Sequence, residues 1–313
     1  MTDETKIQIR DVWNWLPAFR AIAETEHLPT AADRLHVTPA AVSRTLKLLE
    51  ERLDRNLFNR EGRSLVLNEN GRKLLEELRS GMTSVERGLR RVTRAPLDGP
   101  VRVSSLGVLT NYFVTPGLLA LNEEHEQVEP VLRNMRTEEG ARAVLRGEVD
   151  VAFFYESMTF EGLRVEKIGQ TTSSVYCGPG HPLFEAEDVE VEDLLDHPFS
   201  VPGIGDTGKV MDDWPTDLPR EIGMRITLLT TNVRVCRSGR FVCVLPDVAA
   251  KEWLEEGELR RFPFDLLPPT QLYAARRETD DADGAAGTVI EAVRGVVEQV
   301  GAEIEEMRRG EGS

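Results

Sequence analysis

A chain of 313 residues is too long for one small domain and long enough for two or three. No apolar stretch approaches the roughly 18 residues that a membrane span needs, and the start Met1-Thr2-Asp3-Glu4-Thr5-Lys6 lacks a signal peptide's apolar core, so a cytoplasmic chain without a membrane partner is expected. The net charge of −16 argues against nucleic acid only until its distribution is read: residues 1–97 hold 17 Lys and Arg against 14 Asp and Glu, leaving 21 basic and 40 acidic residues for the remainder, which phosphate repels.

Three apolar-patterned stretches and a basic turn occupy Trp15 to Leu67. After Pro29, Thr30-Ala31-Ala32-Asp33 sets a hydroxyl and a carboxylate at capping-box spacing and predicts a helix from near Thr30. Leu35-His36-Val37 interrupts it, and Thr38-Pro39 opens a second helix with an N-cap hydroxyl and a proline where a missing N–H costs nothing. So short a gap is the tight turn of a helix-turn-helix. At about 100° per residue, Val42, Leu46, Leu49 and Leu53 share one face while Ala40, Ser43, Arg44 and Lys47 gather on another. Small residues allow close approach to base edges, an arginine pairs with guanine O6 and N7, and a lysine suits a phosphate oxygen. The bland alternative is a solvated helix face. Capping, turn length and the basic wing-like turn around Arg60 to Ser64 agree instead on a winged helix-turn-helix and double-stranded DNA. The candidate contacts are Thr38, Pro39, Ala40, Ser43, Arg44, Lys47, Arg60 and Arg63.

The string Leu16, Phe19, Ala31-Ala32, Leu35, Ala41-Val42-Ser43-Arg44, Leu49-Glu50, Leu53, Leu57-Phe58, Arg60, Leu67 and Gly71 resembles the amino-terminal signature of LysR-type transcriptional regulators. It departs from that signature at Pro39-Ala40, where the family often has Gln then Pro, at Asp54, where it has Gly, and at Asn68, where it has Thr. The resemblance implies that Ser43 and Arg44 face the major groove and that the wing meets the backbone or minor groove.

From Asn68 to Pro96 a long helix is expected. Leu75, Leu78, Met82, Val85, Leu89 and Val92 are spaced 3, 4, 3, 4, 3, the alternation of a coiled-coil seam. The alternative is a helix lying on its own domain, but a Pro-Leu-Asp-Gly-Pro linker follows with no obvious local partner, so the seam is read as dimerising. Gly81 and Gly88 weaken its helix propensity. The resemblance agrees, because the family's linker helices pair; a homodimer or homotetramer is expected.

Beyond the linker, strand-like and helix-like runs alternate: Val101–Val103, a helix around 112–121, Val128–Leu132, a helix around 138–146, then Val149–Tyr155. Val175–Cys177, a short helix at Val191–Leu195, Phe199–Val201 and Val242–Leu245 continue the pattern. This predicts parallel sheets with covering helices. Gly147-Glu148-Val149-Asp150, His181-Pro182-Leu183, Asp193-Leu194 and the run from Gly239 to Leu245-Pro246 resemble the same family's effector domain, although the family usually has glycine at Phe241. The resemblance implies two α/β subdomains of the type 2 periplasmic-binding-protein-like fold with a small effector between them. The fold class is thus multidomain α/β: a winged helix-turn-helix at 12–68, a linker helix at 69–95, and an effector domain at 99–305, with one lobe of 99–170 and 268–305 and another of 171–267.

Loops after parallel strands and the N-termini of following helices converge at ligand sites. Val108, Leu109 and Thr110 after the first strand, Thr137 opening a helix, Tyr155 after a buried strand, Pro202, Gly203 and Ile204 after Val201, and Asn232 before the last pocket helix are the candidates. Helix-start N–H groups favour an anionic ligand. For Thr110, Thr137 and Asn232, plain helix capping competes with ligand contact. Related regulators often place Ser or Thr where this chain has Val108.

Rival chemistry is thin. Gly203 to Gly208-Lys209 has phosphate-loop spacing, but Val210 replaces the Ser or Thr needed on Mg²⁺. His27, His36, His125, His181 and His197 form no metal-binding pattern, and no nucleophile elbow occurs, so neither an enzyme nor a cofactor or metal is expected. Cys177, Cys236 and Cys243 make no C-x-x-C pair; buried thiols fit their apolar neighbours better than redox sensing does. The second reading open at this level is a cytoplasmic solute-binding protein, or a P-loop-like nucleotide hydrolase, whose helix-turn-helix mediates protein contacts.

Overall fold

The computed structural model describes residues 7–61, 64–93, 99–203, 210–280 and 284–310. Of two compact units, the first ends at Ala95 and the second begins at Pro96. In the first, α1 (Ile9–Val12) and a 3-10 turn precede α2 (Leu16–Thr25), α3 (Leu28–Arg34) and α4 (Pro39–Leu53). Helix α3 starts earlier than its sequence suggests: His27 is the N-cap, Pro29 sits in the first turn, and Thr30 is already helical. Pro29 fits that turn without losing a hydrogen bond, so the helix extends back through it and Thr30 is left to bond the His27 ring at 2.8 Å.

Strands β1 (Phe58–Glu61) and β2 (Ser64–Leu67) form an antiparallel hairpin in which Phe58 pairs with Leu67. The core beneath joins Phe19, Ile22, Ala31, Ala32, Val42, Leu46, Leu49 and Phe58. Helix α5 (Glu69–Thr93) opens on Asn68, whose Oδ1 accepts the Gly71 N–H at 3.0 Å and whose Nδ2 donates to the Asn56 carbonyl at 2.8 Å. Asn thus caps this helix where the family pattern has Thr.

The α5 seam divides. Leu75 and Leu78 are buried in the core of their own unit and Met82 packs on it, its Sδ accepting from Arg20 Nη1 at 3.8 Å. Val85, Leu89 and Val92 are 45%, 60% and 84% exposed. The alternation of a seam cannot distinguish a partner helix from the chain's own domain, and here the first half belongs to the domain.

The second unit holds two five-stranded sheets. In chain order come β3 (Gly99–Ser105), α6 (Gly107–Leu109), a π-helical turn at Thr110–Val114, α7 (Thr115–Glu124), β4 (Val128–Asn134), α8 (Thr137–Arg146), β5 (Val151–Phe154) and β6 (Leu163–Thr171). There follow β7 (Ser173–Cys177), α9 (Val191–Leu195), β8 (Phe199–Pro202), β9 (Ile222–Ile226), α10 (Leu229–Arg237), β10 (Val242–Pro246) and α11 (Asp247–Glu255). Last come β11 (Arg260–Phe262), β12 (Thr270–Arg277) and α12 (Ala285–Gly310).

One sheet runs β4-β3-β5-β12-β6 and the other β11-β7-β10-β8-β9. Neither is wholly parallel: β12 pairs antiparallel with β5 and β6, and β7 antiparallel with β10 and β11. Each reversed strand is the first one laid down after the chain crosses from the other sheet, at Thr172 and again between β11 and β12. Helices α7 and α12 cover one face of the first sheet through Val101, Val103, Leu118, Val289, Val293 and Val297. Gly117 permits this, since a Cβ there would stand 2.9 Å from the Val293 Cα. Among the described residues no helix is long and apolar enough to cross a membrane.

Candidate DNA-binding and effector sites

Helix α4 presents its polar face as its cap dictates. Thr38 Oγ1 accepts the Ala41 N–H at 3.3 Å and Pro39 fills the first turn, so the exposed side chains of Ala40, Ser43 and Arg44 cluster at the N-terminal half. Lys47 lies 3.5 Å from Glu51 with both side chains exposed, a pair weak enough to exchange for a phosphate. Glu50, a residue sequence reasoning quoted without a role, ties the wing to this helix: its Oε1 accepts from the Leu57 N–H at 2.7 Å. Arg60 lies on β1. Arg63 falls outside the described residues.

The effector candidates meet with different fates. β3, β5 and β6 end, and β12 begins, at one edge of the first sheet; β8, β9 and β10 end, and β7 begins, at the edge of the second reached through Thr172. Thr137 is the half-buried first residue of α8, and Val108 packs partly on the first lobe's core. Pro202 ends β8, and Gly203 follows with its missing Cβ facing Thr227, where a side chain would come within 2.7 Å of Cγ2. Ile204 lies outside the described residues, as does the phosphate-loop-like stretch through Lys209.

Leu109 and Asn232 are placed otherwise than the sequence suggests. The Leu109 side chain is fully buried in the core under the first sheet and does not stand on a loop surface. Its backbone N–H donates to Tyr155 Oη at 2.7 Å, a bond in which the Tyr155 hydroxyl accepts and keeps its own proton to donate; burial raises that phenol's pKa. Asn232 does not precede α10 but lies within its first turn, 3% exposed, its Oδ1 accepting from Ser200 Oγ at 2.7 Å. Thr110 sits in the π-helical turn and lines a cavity of about 390 Å³ with Gly107, Asn111, Leu132, Arg133 and Asn134.

Sequence reasoning missed a set of orphaned polar atoms. Among the described residues, Ser105 Oγ, Ser174 Oγ and Gln271 Oε1 are buried without hydrogen-bond partners and lie at or next to strand ends around the crossover; Oγ1 of Thr110, already a candidate, is orphaned likewise in its π-helical turn. Such groups cost about 1–3 kcal/mol each when left unmade. The available signal is a serine at the end of an apolar strand, closing it in Val103-Ser104-Ser105 and opening it in Ser174-Val175. The thiols carry no such signal: Cys177, Cys236 and Cys243 are all buried, and burial pushes Cys177 up to about 12. Among the described residues no three His, Cys, Asp or Glu side chains are arranged to hold a metal ion.

Residues 13–72 match the bacterial regulatory helix-turn-helix protein, lysR family, and residues 94–298 match the LysR substrate binding domain. The chain belongs to the LysR family of transcriptional regulators, which are not enzymes. The glycine cleavage system transcriptional activator of Escherichia coli is 30% identical over 187 residues, 58% of this chain and 60% of that protein. The chain thus spans about 60% of the length of the first curated relatives it matches. The HTH-type transcriptional regulator CrgA of Neisseria meningitidis is 26% identical over 252 residues, 78% of this chain and 82% of that one. Two solved structures share the fold: a probable transcriptional regulator from Pseudomonas aeruginosa, at TM-score 0.69 and 21% identity over 90% of this chain and 96% of that one, and a full-length variant of OxyR from the same organism, at 0.64 and 20% over 90% and 93%.

Proposed function

We propose that this chain is a cytoplasmic, sequence-specific regulator of transcription that binds double-stranded operator DNA as a homodimer or homotetramer and responds to a small anionic effector. Residues 12–68 read DNA, 69–95 assemble the oligomer, and 99–305 bind the effector between lobes of 99–170 with 268–305 and of 171–267. The observation that carries this is the exposed face of α4, where Ala40, Ser43, Arg44 and Lys47 stand clear of the core around Val42, Leu46 and Leu49. Family membership supports the effector half, and two features support its chemistry. Helices α8 and α10 begin at strand ends, with N–H groups and dipoles favouring an anion. The unsatisfied hydroxyls of Ser105 and Ser174 supply further donors.

The test compares two substitutions on operator and random duplexes across a salt series. Arg44→Ala lowers discrimination, costing roughly 1–3 kcal/mol on the operator alone for a lost bidentate guanine contact. Lys47→Ala weakens both duplexes alike and reduces the salt slope by about 1. Equal, salt-independent losses at the two positions remove α4 from the groove.

A further inference from the structure

Helix α12 is longer than the lobe it covers. Its 26 residues extend about 39 Å, and its first part, through Ala286, Val289, Ile290, Val293 and Val297 and as far as the partly buried Val300, packs in the core of the first lobe. Arg294 fastens that part further, with Nη2 2.8 Å from Glu166 Oε2 and Nη1 donating to the Lys167 carbonyl at 3.1 Å. The last turns meet the second lobe instead. Glu303 pairs with Lys251 of α11 at 2.5 Å, the Arg308 carbonyl accepts from Arg261 of β11 at 3.4 Å, and the Arg308 guanidinium stands 3.6 Å from Asp247.

Asp247 joins these contacts to the crossover. It is fully buried at the first position of α11 and accepts from Tyr176 Oη at 2.7 Å and from Thr172 Oγ1 at 2.5 Å, while its own N–H donates to the Thr172 carbonyl at 2.9 Å. Thr172 is the single residue between β6 of one sheet and β7 of the other. Helix α11 is also two-faced: Ala249 and Ala250 lie in the core of the second lobe, whereas Val248 packs on that of the first, and Tyr112 of the π-helical turn touches both cores.

We propose that α12 is an inter-lobe strap, with Asp247 as the positioning residue that passes its restraint to Thr172, so that rearrangement of one lobe against the other works against the Lys251–Glu303 and Arg308–Asp247 contacts. The regulatory role of the strap rests on the reading of the inter-lobe region as the effector site; its mechanical role does not. The Arg308 charge offsets a carboxylate buried beside the crossover, and removing it leaves that carboxylate less compensated. The same strap gives α11 a fixed seat on both lobes.

Amide hydrogen exchange on the full-length protein, with no ligand added, tests the strap. Arg308→Gln combined with Glu303→Gln speeds exchange about tenfold at residues 171–174 and at the start of α11, the effect of a lost charged hydrogen bond. Amides of 289–297 in the first lobe keep their protection, which reports an intact fold. Arg309→Gln, which removes only the exposed pair with Glu305 in the same helix, leaves residues 171–174 unchanged. Glu303→Gln alone produces a smaller rise at the same amides and serves if the double variant does not fold. Faster exchange confined to the last turns of α12, or none anywhere, overturns the strap whatever the fate of the effector reading.

Discussion

At the scale of single residues, His181 has the sharpest electrostatic consequence. It is 4% exposed, its Nδ1 accepts the Leu183 N–H at 3.2 Å, and its ring meets that of His197 edge to face at 4.6 Å. Burial first, and the neighbouring His197 second, hold its pKa down at about 4, against 6.5 in the open chain. Between those values the unfolded chain binds a proton that the folded chain refuses, so stability is greatest above pH 6.5 and is lost as the pH falls towards 4. The loss is at most about 3 kcal/mol. Chemical denaturation of the full chain should therefore show stability falling from pH 7 to 5, and His181→Gln should flatten that slope. A slope unchanged in the variant shows that His181 does not carry this titration.

Asp54 illustrates the same scale for the backbone. It closes α4 in the left-handed region at φ 51°, where the family pattern has glycine, and a side chain there costs roughly 1 kcal/mol. The departure is visible in the sequence; its conformational meaning needs the helix end in place. His181 is the reverse case. Its Gly-His-Pro context reads as a turn, and nothing local reveals that His197 packs against it.

At the scale of elements, legibility follows local chemistry. α4 is readable because a cap, a proline and a 3.6-residue period agree within one segment. α3 is misread by two residues because Pro29 competes with Thr30 for the helix start. Strands β11 and β12 carry little alternation, and β9, where Ile222, Met224 and Ile226 do alternate, is mostly exposed along its length, so their pairing depends on distant partners and not on pattern. α5 combines both situations, since the first half of its seam lies in its own unit's core and the second half is exposed. Val85→Glu with Val92→Glu should dissociate the assembly, because like charges meet in the seam, while the N-terminal unit keeps its fold. Leu78→Glu should unfold that unit by burying a charge beside Phe19 and Leu49. Light scattering and circular dichroism separate the two; an unchanged mass for the Val85 and Val92 variant shows that the exposed half of the seam carries no subunit contact.

At the scale of the whole molecule, the charge pattern divides the labour that the family implies. The amino-terminal 97 residues carry a basic excess and the remainder a strong acidic one, so phosphate is drawn to one unit and repelled by the other. If the effector is an anion, as proposed, an acidic effector domain captures it with local dipoles and hydroxyls against its own net field, which places weight on groups such as the helix start at Thr137. Communication between effector and operator is a coupling free energy, and it is reciprocal. Whatever factor the effector imposes on operator affinity, operator DNA must impose on effector affinity. Thr137→Val should weaken the effector about tenfold, as loss of one hydroxyl hydrogen bond to a charged ligand does, and leave operator affinity without effector unchanged. Its coupling factor should also survive, because only binding strength and not the pair of states is altered. Calorimetry with the cognate effector, in the presence and absence of operator duplex, measures all of these quantities on one protein. Undiminished effector affinity in the variant returns Thr137 to a plain helix start, and a changed coupling factor shows that Thr137 distinguishes the two states and does more than contact the effector.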